Sequence, residues 1–133
     1  MSRRDNPSRP HDGVYVRIGR SAIHGVGVIA ILPIPQGTNL FPWDNEPLAW
    51  VPQAEIATLP PALQQLYADF GVRRGDTIGV PPSLSRLTPG WHLNQPAPGE
   101  AANVRVDSDL QFYAMRDIAP GEELTVEYGT FSR

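Results

Sequence analysis

A mainly β, or α+β, domain is predicted for these 133 residues by three observations. Fifteen prolines and twelve glycines make up about a fifth of the chain, a density that shortens helices and favours tight turns. Apolar and polar residues alternate over several short stretches, the period of a half-buried strand. Only one stretch carries a helical stripe. The chain is 41% hydrophobic and 19% charged, enough apolar content for a single core, and domains of about 100–150 residues are common.

Residues 1–13 are polar and include Arg3, Arg4 and Arg9. They read as a flexible N-terminal arm, with a basic arm for an acidic partner as the other reading. From Val14 the pattern changes, and residues 14–133 form one domain. Val14, Val16 and Ile18 alternate with Tyr15 and Arg17, which predicts the first strand. A turn at 19–21 leads to a second apolar stretch, 23–30, interrupted by Gly25 and Gly27. Pro33, Pro35 and Gly37 break the chain before a short run at 38–41, and 48–51 reads as a further strand.

The helix follows. Thr58 is placed to cap it, Pro60 and Pro61 suit its first turn, and Leu63, Leu66, Tyr67 and Phe70 share one face. Gly71 ends it, so this stripe is expected as a lone helical insert on a β core. Residues 72–90 are rich in Gly, Pro, Arg and Ser and read as irregular connection. Strands are expected at 103–106 and 110–115. A turn at 119–122 then precedes a last alternating strand at 124–128. There is no internal repeat.

Composition excludes several chemistries. Without cysteine there is no disulfide framework, thiolate metal site or cysteine nucleophile. His11, His24 and His92 sit at no metal-ligand spacing, so no metal is expected. His24 and His92 also have no serine–acid pattern beside them for a hydrolase triad. All eleven basic residues are arginine, so no lysine of the chain can form a Schiff base. The net charge of −3 argues against a direct nucleic-acid partner. No apolar run approaches the roughly 18 residues of a membrane span, and a soluble, cytoplasmic protein is expected.

Taken one at a time, the candidate site residues have ordinary explanations. Gly25 and Gly27 mark either a bulge or a place where backbone amides press against a nucleotide-like ligand. A third glycine and following helix are missing, which rejects a dinucleotide fingerprint. Asn94 is either a turn residue or a donor and acceptor for a zwitterionic amino-acid group. Tyr128 alone reads as a core or surface aromatic. Glu122 and Glu123 fit a turn, or a part in holding structure together, better than a pair of catalytic carboxylates.

Their order carries more. Gly25, Val26, Gly27 and the strand through Ala30, then Ile34, Pro35, Gln36, Gly37 and Thr38, resemble the opening of a SET domain, the fold of many protein-lysine methyltransferases. Leu93 and Asn94, Asn103 and Val104, and the stretch from Ala114 through Gly121, Glu122, Glu123 and Leu124 to Tyr128 and Gly129 resemble its close. The likeness covers roughly 14–43 and 91–129, and its most specific part is the GEEL-to-tyrosine stretch.

The resemblance implies a SET-type β-clip fold of small curved sheets with a pseudoknot-like C-terminus, and a variable insert at 44–90. It also implies transfer of a methyl group from S-adenosylmethionine to a lysine side chain of a protein or peptide. In that reading Gly25, Val26, Gly27, Asn94 and Gln95 contact the cofactor and Tyr128 is the catalytic tyrosine. The chain departs from the family at Gln95, where histidine is usual, and at Pro96, where serine is. The departure leaves a second reading: a catalytically degenerate SET fold that binds a cofactor or a protein without turnover. Without a cysteine-rich module after Gly129, the substrate wall is expected to be completed by a homodimer contact involving Trp43, Trp50 and Phe131.

Overall fold

The computed structural model describes residues 9–44 and 46–132. Eight strands form three small antiparallel sheets. β1 (Val16–Arg20) and β2 (Val26–Ala30) pair with Val16 opposite Ala30 and Arg20 opposite Val26. β8 (Glu123–Leu124) joins the free edge of β2, placing Leu124 beside Val28 and Glu123 beside Ile29. The first sheet therefore unites the two ends of the chain.

The second sheet has the order β3 (Ala49–Pro52), β5 (Thr77–Val80), β4 (Val72–Arg74). The third is the hairpin β6 (Val104–Val106) and β7 (Phe112–Ala114). Beyond β8 the chain runs between two segments, with Thr125 bridged to Asn94 and Val126 to Val104, both in parallel. The Val126 N–H donates to the Asn94 carbonyl at 3.0 Å, and the Val104 N–H to the Thr125 carbonyl at 3.0 Å. This threading is the knot-like passage that brings residues 93–95 beside 125–128.

The core lies where the pieces cross. Val28, Ile34, Val104, Ile118, Leu124 and Val126 are its largest fully buried side chains, each contributing about 1.5–3 kcal/mol by leaving water. Ile34 and Ile118 exchange backbone hydrogen bonds of 2.9 and 2.8 Å, which ties the loop after β2 to the approach to β8.

Several sequence expectations change here. Residues 72–90 contain β4 and β5, a hairpin masked in the sequence because its strands are short and carry Arg73, Arg74 and Gly79 in place of alternation. The described residues hold two α-helices, α1 (Gln53–Ile56) and α2 (Pro61–Phe70), and a 3₁₀ turn at Pro89–His92. Thr58 caps neither, since its hydroxyl donates back to the Glu55 carbonyl at 2.7 Å, and Pro60 occupies the cap of α2. The α2 stripe is only half-buried, with Leu63 exposed, and the helix packs against α1 and β5. Run 38–41 makes a single bridge, Asn39 to Tyr113. The last strand stops at Leu124 because the chain leaves β2 to thread the passage, and Tyr128–Thr130 is a 3₁₀ turn.

Among the described residues no helix is long and apolar enough to cross a membrane, and no group of three metal-ligating side chains forms. Of the expected arm, residues 1–8 lie outside the described residues, while 10–13 form a turn. Trp43 and Trp50 are exposed, whereas Phe131 packs against the core.

Candidate active site

Two cavities meet at Tyr128. One, of about 690 Å³, is bounded by Ile23, His24 and Val26 on one side and by Asn94, Gln95 and Tyr128 on the other. The second, of about 450 Å³, has aromatic walls from Phe41, Phe70, Trp91, Phe112, Phe131 and Tyr128. Leu93, Trp91 and Phe70 also border both.

The polar cavity is shaped by a hydrogen-bonded loop. Gly25 takes φ +49°, a left-handed turn that glycine adopts without a Cβ penalty, and its carbonyl accepts the Ser21 N–H at 2.9 Å. The Ser21 hydroxyl accepts the N–H groups of Ile23 (2.9 Å) and His24 (3.0 Å) and donates to the Glu123 carboxylate at 2.8 Å. From across the passage, the two N–H groups of the buried Asn94 amide are shared among four acceptors: the carbonyls of His24 and Val26, both at 3.1 Å, Glu123 Oε2 at 3.0 Å and Ser21 Oγ at 3.2 Å. Asn103 staples the strand behind it, donating to the Glu123 carbonyl at 2.9 Å and accepting the Thr125 N–H at 2.8 Å. Each bond to an otherwise unpaired buried group is worth more than the bond alone, because its loss leaves a desolvated partner.

Tyr128 is held at both ends by one segment. Its hydroxyl donates to the Leu93 carbonyl at 2.6 Å, and its N–H donates to the Gln95 side-chain oxygen at 3.2 Å. Its ring meets Phe131 edge-on at 6.2 Å, Phe131 meets Phe112 at 5.8 Å, and Phe112 meets Phe41 at 6.0 Å. Burial pushes the phenol pKa up; the Gln95 backbone partly opposes this and the Glu123 charge adds to it. Tyr128 is therefore a protonated phenol at neutral pH. Burial also lowers the His92 imidazole pKa, leaving it neutral in the wall of the polar cavity.

Of the sequence-predicted residues, Val26, Asn94, Gln95 and Tyr128 line the polar cavity, and Gly25 and Gly27 do not. Gly25 turns the chain. Gly27 is buried in β2, and a Cβ there would run into the Glu123 carboxylate and the Ser21 side chain. Ser21 is the residue the sequence reading passed over, while Glu123, read as serving a turn or holding structure together, ties Ser21 to Asn94. Glu123 stood in the most specific stretch, but its adjacency to Glu122 in a turn offered no reason to separate them.

The chemistry of the polar cavity fits the cofactor that the resemblance implies. Trp91, His92 and Phe70 supply flat faces for an aromatic base. The Asn94 amide spends its nitrogen on the chain, which leaves its oxygen for an amino group. No arginine intrudes among the lining residues, so a cation meets no repulsion from the wall.

The threaded C-terminus, three small sheets and paired cavities define a SET-type β fold. It is similar to the crystal structure of a Plasmodium falciparum protein described as a candidate histone methyltransferase, with a TM-score of 0.52 at 18% identity over 87% of this chain and 94% of that one. It is also similar to a chain of a humanized mutant of the Chaetomium thermophilum Polycomb Repressive Complex 2 bound to the inhibitor GSK126, with a TM-score of 0.59 at 18% identity. There the match covers 90% of this chain and 16% of the other. No curated protein matches the sequence. The SET-domain family model matches residues 25–129. The chain belongs to the SET-domain family.

Proposed function

We propose that this protein transfers a methyl group from S-adenosylmethionine to the side-chain amine of a lysine in a protein or peptide substrate. The observation that carries the reading is Tyr128, whose phenol belongs to the polar cavity and to the aromatic one together. A donor in the first and an amine in the second would face each other across this residue.

When bound, the sulfonium supplies an already activated methyl group, so the protein's task is alignment more than bond activation. With the donor held by Val26, Asn94 and Gln95, transfer would form one N–C bond as the donor's C–S bond broke, leaving that electron pair on sulfur and the amine's extra proton to be released to solvent. Val26, Asn94 and Gln95 bound the donor's side. Tyr128 directs its own proton to Leu93, which turns the oxygen lone pairs outward to hold the amine or the methyl in transit. The ring stack of Phe131, Phe112 and Phe41 gives the acceptor's side an apolar wall. Desolvation there disfavours the ammonium form and delivers the neutral, nucleophilic amine.

Asp44, Glu46, Asp69 and Asp109 rim the aromatic cavity, with Arg86 paired to Glu46 at 3.8 Å. The excess of carboxylates favours a basic segment around the lysine. Incubation with methyl-labelled S-adenosylmethionine and a lysine-rich protein pool tests the reading, with label expected on lysine. Cofactor binding measured by calorimetry, without label on any protein, would instead establish the non-catalytic binding module.

A further inference from the structure

Glu123 is a half-buried carboxylate in an unusual setting. Its oxygens accept from Ser21 Oγ at 2.8 Å and from Asn94 Nδ2 at 3.0 Å, both uncharged donors. Among the described residues it makes no ion pair; the pairs present join His11 to Asp12, Arg86 to Glu46 and Arg116 to Glu122. Its neighbour Glu122 has the arginine, and Glu123 has none. The place it occupies is open only because Gly27 has no side chain. Two residues of the strand pair are thus arranged to bring one negative charge close behind the loop that walls the polar cavity.

A partly desolvated charge satisfied by neutral hydrogen bonds keeps its field, whereas one paired to arginine is largely cancelled. The field of Glu123 reaches at least to the Tyr128 phenol, whose proton it helps retain. One hydrogen bond separates the carboxylate from Asn94, a lining residue, and the lining itself holds Asp69 and no arginine. The cation nearest along the sheet, Arg20 opposite Val26, stands outside that lining.

We propose that Glu123 is a specificity-determining residue that makes the polar cavity prefer a positively charged sulfonium donor over the neutral thioether left after transfer. The proposal rests on the cofactor reading above and deepens it. The two ligands share the nucleoside and amino-acid parts and differ by one methyl and one charge, so a purely structural Glu123 would serve both alike. Its charge would serve only the first, and would help the spent product leave.

The test is calorimetric titration of the full chain with S-adenosylmethionine and with S-adenosylhomocysteine, for wild type and Glu123→Gln. Glutamine keeps an acceptor for Ser21 and removes the charge. Affinity for the sulfonium should fall about 5- to 10-fold, the effect of one unit charge through a partly screened path. Affinity for the thioether should change by less than about twofold on the same reasoning. Glu123→Asp keeps the charge and should keep the wild-type ratio of affinities, while Ser21→Ala loosens the loop and should weaken both ligands by one common factor. In the ligand-free protein, carbon-13 tyrosine NMR should find the Tyr128 phenol titrating at lower pH in Glu123→Gln, with Tyr128→Phe identifying the signal.

Equal losses for the two ligands in Glu123→Gln, no loss for either, or an altered ratio in Glu123→Asp would each overturn the proposal and leave the cofactor reading standing. Failure of the wild type to bind either ligand would overturn the cofactor reading, and this proposal with it.

Discussion

The two cavities are built by different physics. The polar one has a wall of backbone held by half-buried Ser21, buried Asn94 and, behind them, Asn103, facing the rings of Phe70, Trp91 and His92. The aromatic one is made of rings stacked edge to edge, and part of its wall comes from residues within 44–90. Hydrogen bonds set positions to within tenths of an ångström and tolerate no substitution of type. Ring packing sets volume and dryness and tolerates exchange among apolar residues of similar size. On the proposed reading, one wall would receive an invariant ligand and the other a side chain whose surroundings differ between substrates. Tyr128 belongs to both.

The comparison is tested most severely at that shared residue. Tyr128→Phe should lower turnover by about 10²–10³-fold, the usual cost of one preorganised polar group at a reacting centre. Cofactor affinity should change little, because the N–H to Gln95 remains. Equal turnover of the two proteins on one lysine substrate would remove Tyr128 from the chemistry.

Next in size is the polar frame. Asn103→Ala strands the Thr125 N–H and the Glu123 carbonyl, both now paired at 2.8–2.9 Å, and should cost about 2–4 kcal/mol of stability. Urea denaturation measures it. A loss under about 0.5 kcal/mol, the range of an ordinary surface change, would mean the staple is dispensable.

The aromatic wall should respond through the substrate. Phe131→Ala opens the ring stack beside Tyr128 and should raise KM for a lysine peptide about 5- to 10-fold, as loss of roughly one aromatic contact. The cofactor dissociation constant should hold within about twofold if the cavities differ as described. A larger shift in the cofactor constant than in KM would erase the distinction between the two walls.

Smaller still is the departure at Gln95. Its side chain holds the Tyr128 N–H at 3.2 Å and is exposed, so Gln95→His should alter turnover by no more than the few-fold that one solvent-accessible neutral hydrogen bond is worth. Restoration of activity to a silent protein would show instead that glutamine is a defect.

The smallest effect concerns acid. The Asp107 carboxyl is held below its ordinary value, chiefly by the Gln111 N–H and also by the Asp109 N–H, at 3.0 and 2.9 Å. These bonds stabilise the turn in which Leu110 adopts φ +59°, at the lip of the aromatic cavity. A folded pKa below the unfolded one gives stability that is present above about pH 4 and is lost as pH falls through the lowered value. Amide exchange at residues 109–111 should therefore quicken only on acidification below that range, and Asp107→Asn should flatten the dependence. Quickening between pH 5 and 7 would contradict it.

Much of the frame was legible from local pattern. The alternation at 14–18 and the apolar stretch at 23–30 became β1 and β2, shifted by two or three residues. The prolines and Gly71 bounded α2 correctly, although its cap was misplaced from Pro60 to Thr58. The hairpin of β4 and β5 was illegible because two strands of three and four residues are too short for a period to register. The roles of the glycines were half legible. That Gly25 and Gly27 mattered was visible, but their company in the sequence pointed to ligand contact. The fold uses one to turn the chain and the other to admit a carboxylate.

What the sequence by itself determined was the β class and the absence of thiol and lysine chemistry in the protein; the grouping of Gly25, Val26, Gly27, Asn94, Gln95 and Tyr128 came from the resemblance to the SET domain. Those properties reside in composition and in order along the chain, so no coordinates are required to state them. Only the tertiary structure decided that Asn94 clamps the loop at 24–26, that Gln95 grips the Tyr128 backbone, and that Glu123 faces neutral partners while Glu122 takes the arginine. Each of these relations joins residues far apart in sequence, or separates two neighbours onto opposite sides of a strand. The passage of the chain between 94 and 104 creates them, because threading fixes which distant groups become hydrogen-bonding neighbours.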